Sequence, residues 1–247
     1  MKKKSILYLF LFVVITVSCC SVKTVNKNQP DWKLYEQAIV NAMSPDSLKI
    51  YSHLIEVRNQ NDQLTWKTIN DEDYLLVVSW KQDISYYKPY LDSSFYDTGN
   101  YEIWVTTSPE LLNRMNKEKY TDADTRLKQL LGLPPNSVYS YFVEFWVKPS
   151  DLFRPCPDKE IDDNSCSLCF PAEADSAHIA WIDGNRISRY YECDLYDKYP
   201  WTQLGYTYDW NIENHTHVGL SEFVIDENSN IVVNAIYTTT EYLNKGK

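Results

Sequence analysis

The stretch Tyr139-Ser140-Tyr141-Phe142-Val143-Glu144-Phe145-Trp146-Val147 carries two interleaved rows of side chains. In an extended chain successive residues face opposite sides, so Tyr141, Val143, Phe145 and Val147 form one row and Phe142, Glu144 and Trp146 the other. Both rows are bulky and mainly apolar, as a central strand needs when each face of its sheet is covered. Tyr74 to Lys81, with Leu75-Leu76-Val77-Val78 inside it, reads the same way. Leu64 to Ile69 precedes it across the polar stretch Asn70-Asp71-Glu72-Asp73, and the two runs predict a hairpin. Tyr101 to Thr107 is a further strand. Gly219 to Ile225 and Ile231 to Thr238, joined by Asp226-Glu227-Asn228-Ser229-Asn230, predict a second hairpin.

Helical spacing appears elsewhere. Pro30 opens a segment in which Trp32, Tyr35, Ala38, Ile39, Ala42 and Met43 recur on one face. Ser44-Pro45-Asp46-Ser47 stops it and is placed to cap a second helix carrying Leu48, Tyr51, Leu54 and Ile55. Ser108-Pro109-Glu110 starts a helix with Leu111, Leu112 and Met115, and another follows Thr121 with Asp122 and Asp124 in its first turn and Gly132 as its stop. Asp175 to Tyr190 reads as a helix interrupted at Asp183-Gly184-Asn185. The tyrosine-rich stretch Asp83 to Asn100 predicts a long loop pinned by Tyr86, Tyr87, Tyr90, Phe95 and Tyr96. The fold class is therefore α+β, a mainly antiparallel sheet with helices packed on one side. With 44% hydrophobic and 15% aromatic residues and only 6 Gly in 247, the chain is too apolar for disorder and shows no linker, so residues 30–247 read as a single domain.

The first residues have a different character. Lys2-Lys3-Lys4, the apolar run Ile6 to Val17 and then Ser18-Cys19-Cys20-Ser21 resemble the bacterial lipoprotein signal, in which a peptidase cuts before a cysteine linked to diacylglycerol. The apolar run is too short to anchor by itself: from Ser5 to Ser18 a helix spans about 21 Å, against roughly 30 Å of hydrocarbon. The resemblance implies a signal peptide over 1–18, lipidation at Cys19 with Cys20 as the alternative, and a lipidated N-terminus and polar tether over 19–29. Ser18 before Cys19 is suitably small, whereas Thr16 departs from the aliphatic residue usual three places before the cut. Cys20 has Val17 in that place but Cys19 immediately before it. Residue +2 after either cysteine is not aspartate, and the sorting pattern of the family then implies the outer membrane. Whether the domain faces the periplasm or the outside stays open.

Loss of Lys2, Lys3 and Lys4 leaves 21 Lys and Arg against 34 Asp and Glu, a formal charge of −13. That charge disfavours nucleic acid and anionic lipid and steers in cationic partners, so the membrane is reached through acyl chains. Leu130-Leu-Gly-Leu-Pro-Pro135, Tyr199-Pro-Trp-Thr-Gln-Leu-Gly-Tyr-Thr-Tyr-Asp-Trp210 and Val218-Gly-Leu-Ser-Glu-Phe-Val224 resemble a group of bacterial proteins over much of residues 64–243. That resemblance implies no activity.

Three constellations carry possible chemistry. Cys156, Cys166, Cys169 and Cys193 most simply make two disulfides in an exported chain, with no choice among the three pairings; a zinc site of four thiolates and a redox Cys166-Ser-Leu-Cys169 are the other readings. His215 and His217 point to one side of an extended segment and are candidate metal ligands, with no third ligand to name; no metal or other cofactor is assigned. Glu102 beside Trp104, Glu144 between Phe142 and Trp146, and Glu222 between Leu220 and Val224 are candidate catalytic carboxylates if their strands are neighbours. The plainer reading makes them solvated or paired, with the tryptophans in the core. The five rings of Tyr199 to Trp210 suit either an exposed platform or a loop held by buried rings. No nucleotide loop, nucleophile-elbow serine or His-Glu-x-x-His pattern occurs. The sequence thus points to a lipid-anchored envelope binding or accessory protein recognising a cationic protein or a glycan, with a glycosidase-like envelope hydrolase as the alternative.

Overall fold

A computed structural model describes residues 30–91, 95–190 and 198–245 of the chain. The signal peptide and tether expected over 1–29, with Cys19 and Cys20, and also Cys193, lie outside the described residues. Numbered along the chain, the elements are α1 (Pro30–Ala42), β1 (Trp66–Ile69), β2 (Glu72–Lys81), β3 (Phe95–Asp97), β4 (Ile103–Thr107), α2 (Ser108–Lys117), α3 (Ala123–Leu130), β5 (Tyr141–Val147), β6 (Leu152–Phe153), α4 (Ser176–Tyr190), β7 (Tyr206–Tyr208), β8 (Val218–Ser221), β9 (Phe223–Ile225), β10 (Asn230–Thr238) and α5 (Thr239–Leu243). Eight strands among the described residues form one antiparallel sheet in the order β3-β10-β5-β2-β4-β9-β6, with β1 added to β2. β7 and β8 make a small separate ribbon.

The alternation at Tyr139 to Val147 decides this arrangement. The β5 residues Val143 and Phe145 lie with Leu75, Val77, Val105 and Phe223 in one core, closed by Ile55, Val57, Ile84 and Tyr87 from long loops. On the other face Phe142 joins Val78 and Trp80 under Leu111, Met115, Leu127, Leu130 and Tyr242 of α2, α3 and α5. This is an α+β fold with helices on one side. The β1–β2 hairpin forms as expected, turning through Asn70 (φ 50°) and Asp71 (φ 64°), residue types that tolerate the left-handed region.

Four local expectations are corrected. The last two strands exist but do not pair: β9 lies between β4 and β6, and β10 between β3 and β5. β9 is only three residues long, whereas β10 matches β5 from Val232 opposite Trp146 to Thr238 opposite Tyr141 and buries Ile231 and Val233. The helix expected after Pro45 is one 3₁₀ turn, Ser47–Lys49, capped by Asp46, and Leu48 is 95% exposed. Leu54, Ile55 and Val57 instead send their N–H groups to Asn164 O, Ser221 Oγ and Ile161 O, which holds the segment extended. α4 runs through Asp183-Gly184-Asn185 unbroken, because Ile182 is fully buried and anchors the turn while Gly184 faces open space. The tyrosine loop contains β3. Tyr87 is buried, Tyr96 packs on it and Tyr90 on Tyr96, but Tyr86 and Phe95 are exposed.

Candidate functional site

Sheet register determines which side chains can meet. Val78 pairs with both Thr106 and Glu144, and Trp80 with Phe142, so these side chains share the helix-covered face. Two-residue steps along β4 add Trp104 and Glu102 to that face. Val105 and Phe223 pair and turn into the opposite core, which leaves Val224 and Glu222 on the same side as Trp104. Here β2, β4 and the start of β9 line a cavity of about 310 Å³, completed by Arg189 of α4, by Leu131 to Leu133 after α3, and by Tyr199, Pro200, Trp201 and Tyr208. The volume is at the lower end of the roughly 300–1,000 Å³ of small-molecule sites.

Two glycines place its wall. Gly132 ends α3 at φ +65°, where a Cβ would lie 3.2 Å from Tyr208 O. Gly219 allows a closer approach: a Cβ there would fall 2.2 Å from Thr207 Oγ1 and 2.6 Å from Leu130 O. Beyond Tyr208, the buried Asp209 accepts from Arg126 Nη1 at 2.9 Å and Nη2 at 2.7 Å, which ties the ribbon to α3.

The walls are aromatic and the polar groups few. Trp104 stacks on Trp181 at 5.8 Å and meets Trp201 edge-on at 6.3 Å. The Arg189 guanidinium lies 4.8 Å from the Tyr199 ring centroid and 5.7 Å from that of Trp104. Trp181 Nε1–H donates to Glu102. Burial holds the Glu102 carboxyl above its usual range and Glu227 and Asp226 add to this, against the Trp181 bond and Arg189. Burial also pushes Glu222 up to about 8, against the pull of Arg189. Lys81, at the end of β2, is pushed down to about 8 by burial, with its Nζ 5.9 Å from the Tyr87 ring centroid.

Glu102 and Glu222 therefore share a cavity; Glu144 does not. Although on the same sheet face, Glu144 is completely buried beneath α2 and α5, accepting from Ser108 Oγ at 2.6 Å, Lys245 Nζ at 2.6 Å and Asn234 Nδ2 at 2.9 Å. It is a structural carboxylate. His217 stacks on Tyr208 at 4.8 Å with Nδ1 3.0 Å from Asp209 O, while His215 lies in a different depression with it. Among the described residues the groups close enough to share a cation are Cys156-Asp158-Cys166 and Asp158-Glu160-Asp163, and neither histidine belongs to them. Cys156 and Cys166 form a disulfide, which removes two of the four thiolates a zinc site needs. Cys169 is free and exposed, and Cys193, the other cysteine of the expected second bridge, lies outside the described residues. In the 199–210 stretch Trp201, Tyr206, Tyr208 and Trp210 are buried, so the segment is a pinned loop, one side of which walls the cavity.

Sequence reasoning gave no role to Arg189, Trp181 or Lys81. A cation in the last turn of a helix reads as a partner of its dipole, and a lone tryptophan in an amphipathic helix reads as core. Only the docking of α4 against β4 brings Trp181 and Arg189 to Glu102 and Glu222, whereas Lys81 holds its ammonium over Tyr87 on the other side of the sheet. No protein-family model, no curated protein and no solved structure matches this chain.

Proposed function

We propose that the chain is a lipid-anchored binding protein of the bacterial envelope that holds the end of a glycan in this cavity. The observation that carries the reading is the union of stacked indoles with a few polar groups in one concave site. Flat aromatic faces suit the C–H faces of a pyranose, while Glu102, Glu222 and Arg189 supply donors and acceptors for its oxygens. A cationic protein partner is the poorer fit, because the small cavity already holds the chain's own Arg189 guanidinium. The lysines, apolar run and cysteines of residues 2–20 support the envelope location.

The hydrolase reading draws on one observation, a carboxyl of raised pKa beside a second carboxyl in an aromatic cleft. The independence of the two counts against it. Neither carboxyl acts on the titration of the other: Glu102 is raised by burial with Glu227 and Asp226, and Glu222 by burial against Arg189. Paired glycosidase carboxyls lie roughly 5–9.5 Å apart.

The test is retention of purified envelope polysaccharides by the immobilised protein and by Trp104→Ala. Retention by the native chain, reduced at least tenfold in the variant, is the expected result. No retention of any polysaccharide at low salt rejects the reading.

A further inference from the structure

Glu222 is built differently from Glu102, Glu110 and Glu144. Its neighbours Ser221 and Phe223 are buried, and its own N–H donates to Gly205 O at 2.9 Å, so the backbone is fixed and the side chain must enter the cavity. Glu102 has the Trp181 N–H, Glu144 has three donors, and Glu110 takes Ser221 N and Oγ at 3.0 and 3.1 Å. No described residue donates a hydrogen bond to the Glu222 carboxyl. A carboxylate in an aromatic wall without donors is costly, and the neutral acid is the form such a wall admits.

The charges facing it come from several elements. Arg189 and Tyr190 lie on α4, Glu102 on the β4 side, and Tyr139, Tyr199 and Tyr208 on the surrounding loops and ribbon, while Lys81 at the end of β2 turns its ammonium away, over Tyr87 in the opposite core. Among the described residues Arg189 is the one cation acting on Glu222, and it is already spread over two ring faces and drawn toward Glu102.

We propose that Glu222 acts on the ligand as a neutral acid, its O–H and the Arg189 guanidinium forming a donor pair that selects a sugar bearing an sp² oxygen, an acylamino carbonyl or a carboxylate. This rests on the glycan reading above. The acid O–H and the guanidinium are donors, so one carbonyl or carboxylate oxygen satisfies both, whereas the ammonium of an amino sugar would meet the Arg189 guanidinium with like charge. The upward displacement of the Glu222 titration agrees with the neutral form at physiological pH. As the pH rises through about 8 the donor becomes an acceptor, and the site loses the ligand.

The experiment uses three ligands with one ring: N-acetylglucosamine, glucuronate and glucosamine, titrated calorimetrically into the full chain at pH 6 and pH 9. N-Acetylglucosamine, glucuronate or both bind at pH 6 and weaken at least tenfold at pH 9, while glucosamine does not bind. Glu222→Gln, whose amide keeps a donor and cannot ionise, binds the same ligand with equal affinity at both pH values, which separates Glu222 from Lys81, the other group titrating in that range. Which of the two sugars binds tells the acyl source from the carboxylate source. Isotope-edited infrared spectra at pH 6 show a neutral carboxylic-acid carbonyl band that Glu222→Gln lacks.

Preferential binding of glucosamine, affinity that does not fall with pH, loss of binding in Glu222→Gln at pH 6, or absence of the acid band each overturns the proposal. Failure of all three sugars to bind at either pH overturns it together with the glycan reading. Sugar binding without the pH dependence overturns this inference alone.

Discussion

At Glu144 three donors converge, and at Glu222 none among the described residues does, although the two side chains leave the same face of one sheet. The difference has a consequence for stability. A carboxyl raised from 4.5 to about 8 keeps in the folded chain a proton that the unfolded chain has released, so stability falls as pH rises across that window and levels above it. Glu110, pushed up to about 7 by burial, acts with the same sign. Lys81 acts oppositely: lowered from 10.5 to about 8, it makes folding more favourable as pH rises between those values. Between pH 5 and pH 8 the carboxyl effect therefore dominates. We expect Glu222→Gln to flatten the profile, losing at least ~1 kcal/mol less than the native chain between pH 5 and pH 8 in urea unfolding. Equal losses would show that Glu222 ionises freely in the fold.

At the scale of elements, the cavity depends on how closely the β7–β8 ribbon lies against α3. The limiting contact is at Gly219, where a methyl group would meet the Thr207 hydroxyl and the Leu130 carbonyl, a side chain and a helix backbone that has little room to retreat. Gly219→Ala should destabilise the chain by about 1–3 kcal/mol through overpacking. It should also weaken ligand binding, since Thr207 and Tyr208 are displaced with the ribbon. Thermal melting and calorimetry on the same sample check both; an unchanged melting point would mean that the ribbon is free to shift. The disulfide serves the other face. Cys156 and Cys166 close a span of ten residues, and the loop they hold accepts the N–H groups of Leu54 and Val57. Replacing both cysteines with serine should cost about 2–4 kcal/mol, a fall of roughly 5–10 °C in melting temperature for a chain of this size.

Over the whole molecule, local patterns were legible and distant partnerships were not. The helices beginning at Pro30, Ser108 and Asp122 could be read because their signals lie within a few residues of one another: an early proline, an acidic first turn, the glycine at 132. The same holds for the turn at Asn70-Asp71. Gly219 to Ile225 and Ile231 to Thr238 were legible as extended chain, yet their nearness in sequence suggested a pairing that the sheet refuses, because β5 offers β10 a longer apolar edge than β9 does. The same limit governed the carboxylates. Alternation placed Glu102, Glu144 and Glu222 on strand faces, but sequence holds no record that β2 lies between β4 and β5, or that α5 covers one glutamate while α4 brings Trp181 and Arg189 to the others.

The sequence by itself determined the α+β class, the two-faced burial of the central strands and the main helices, since each follows from residues close in the chain. Only the tertiary structure decided which glutamate is satisfied, which keeps a proton and which cation stands beside it. Desolvation and hydrogen bonding depend on what packs against a group from distant parts of the chain, and alternation or helical period says nothing of that.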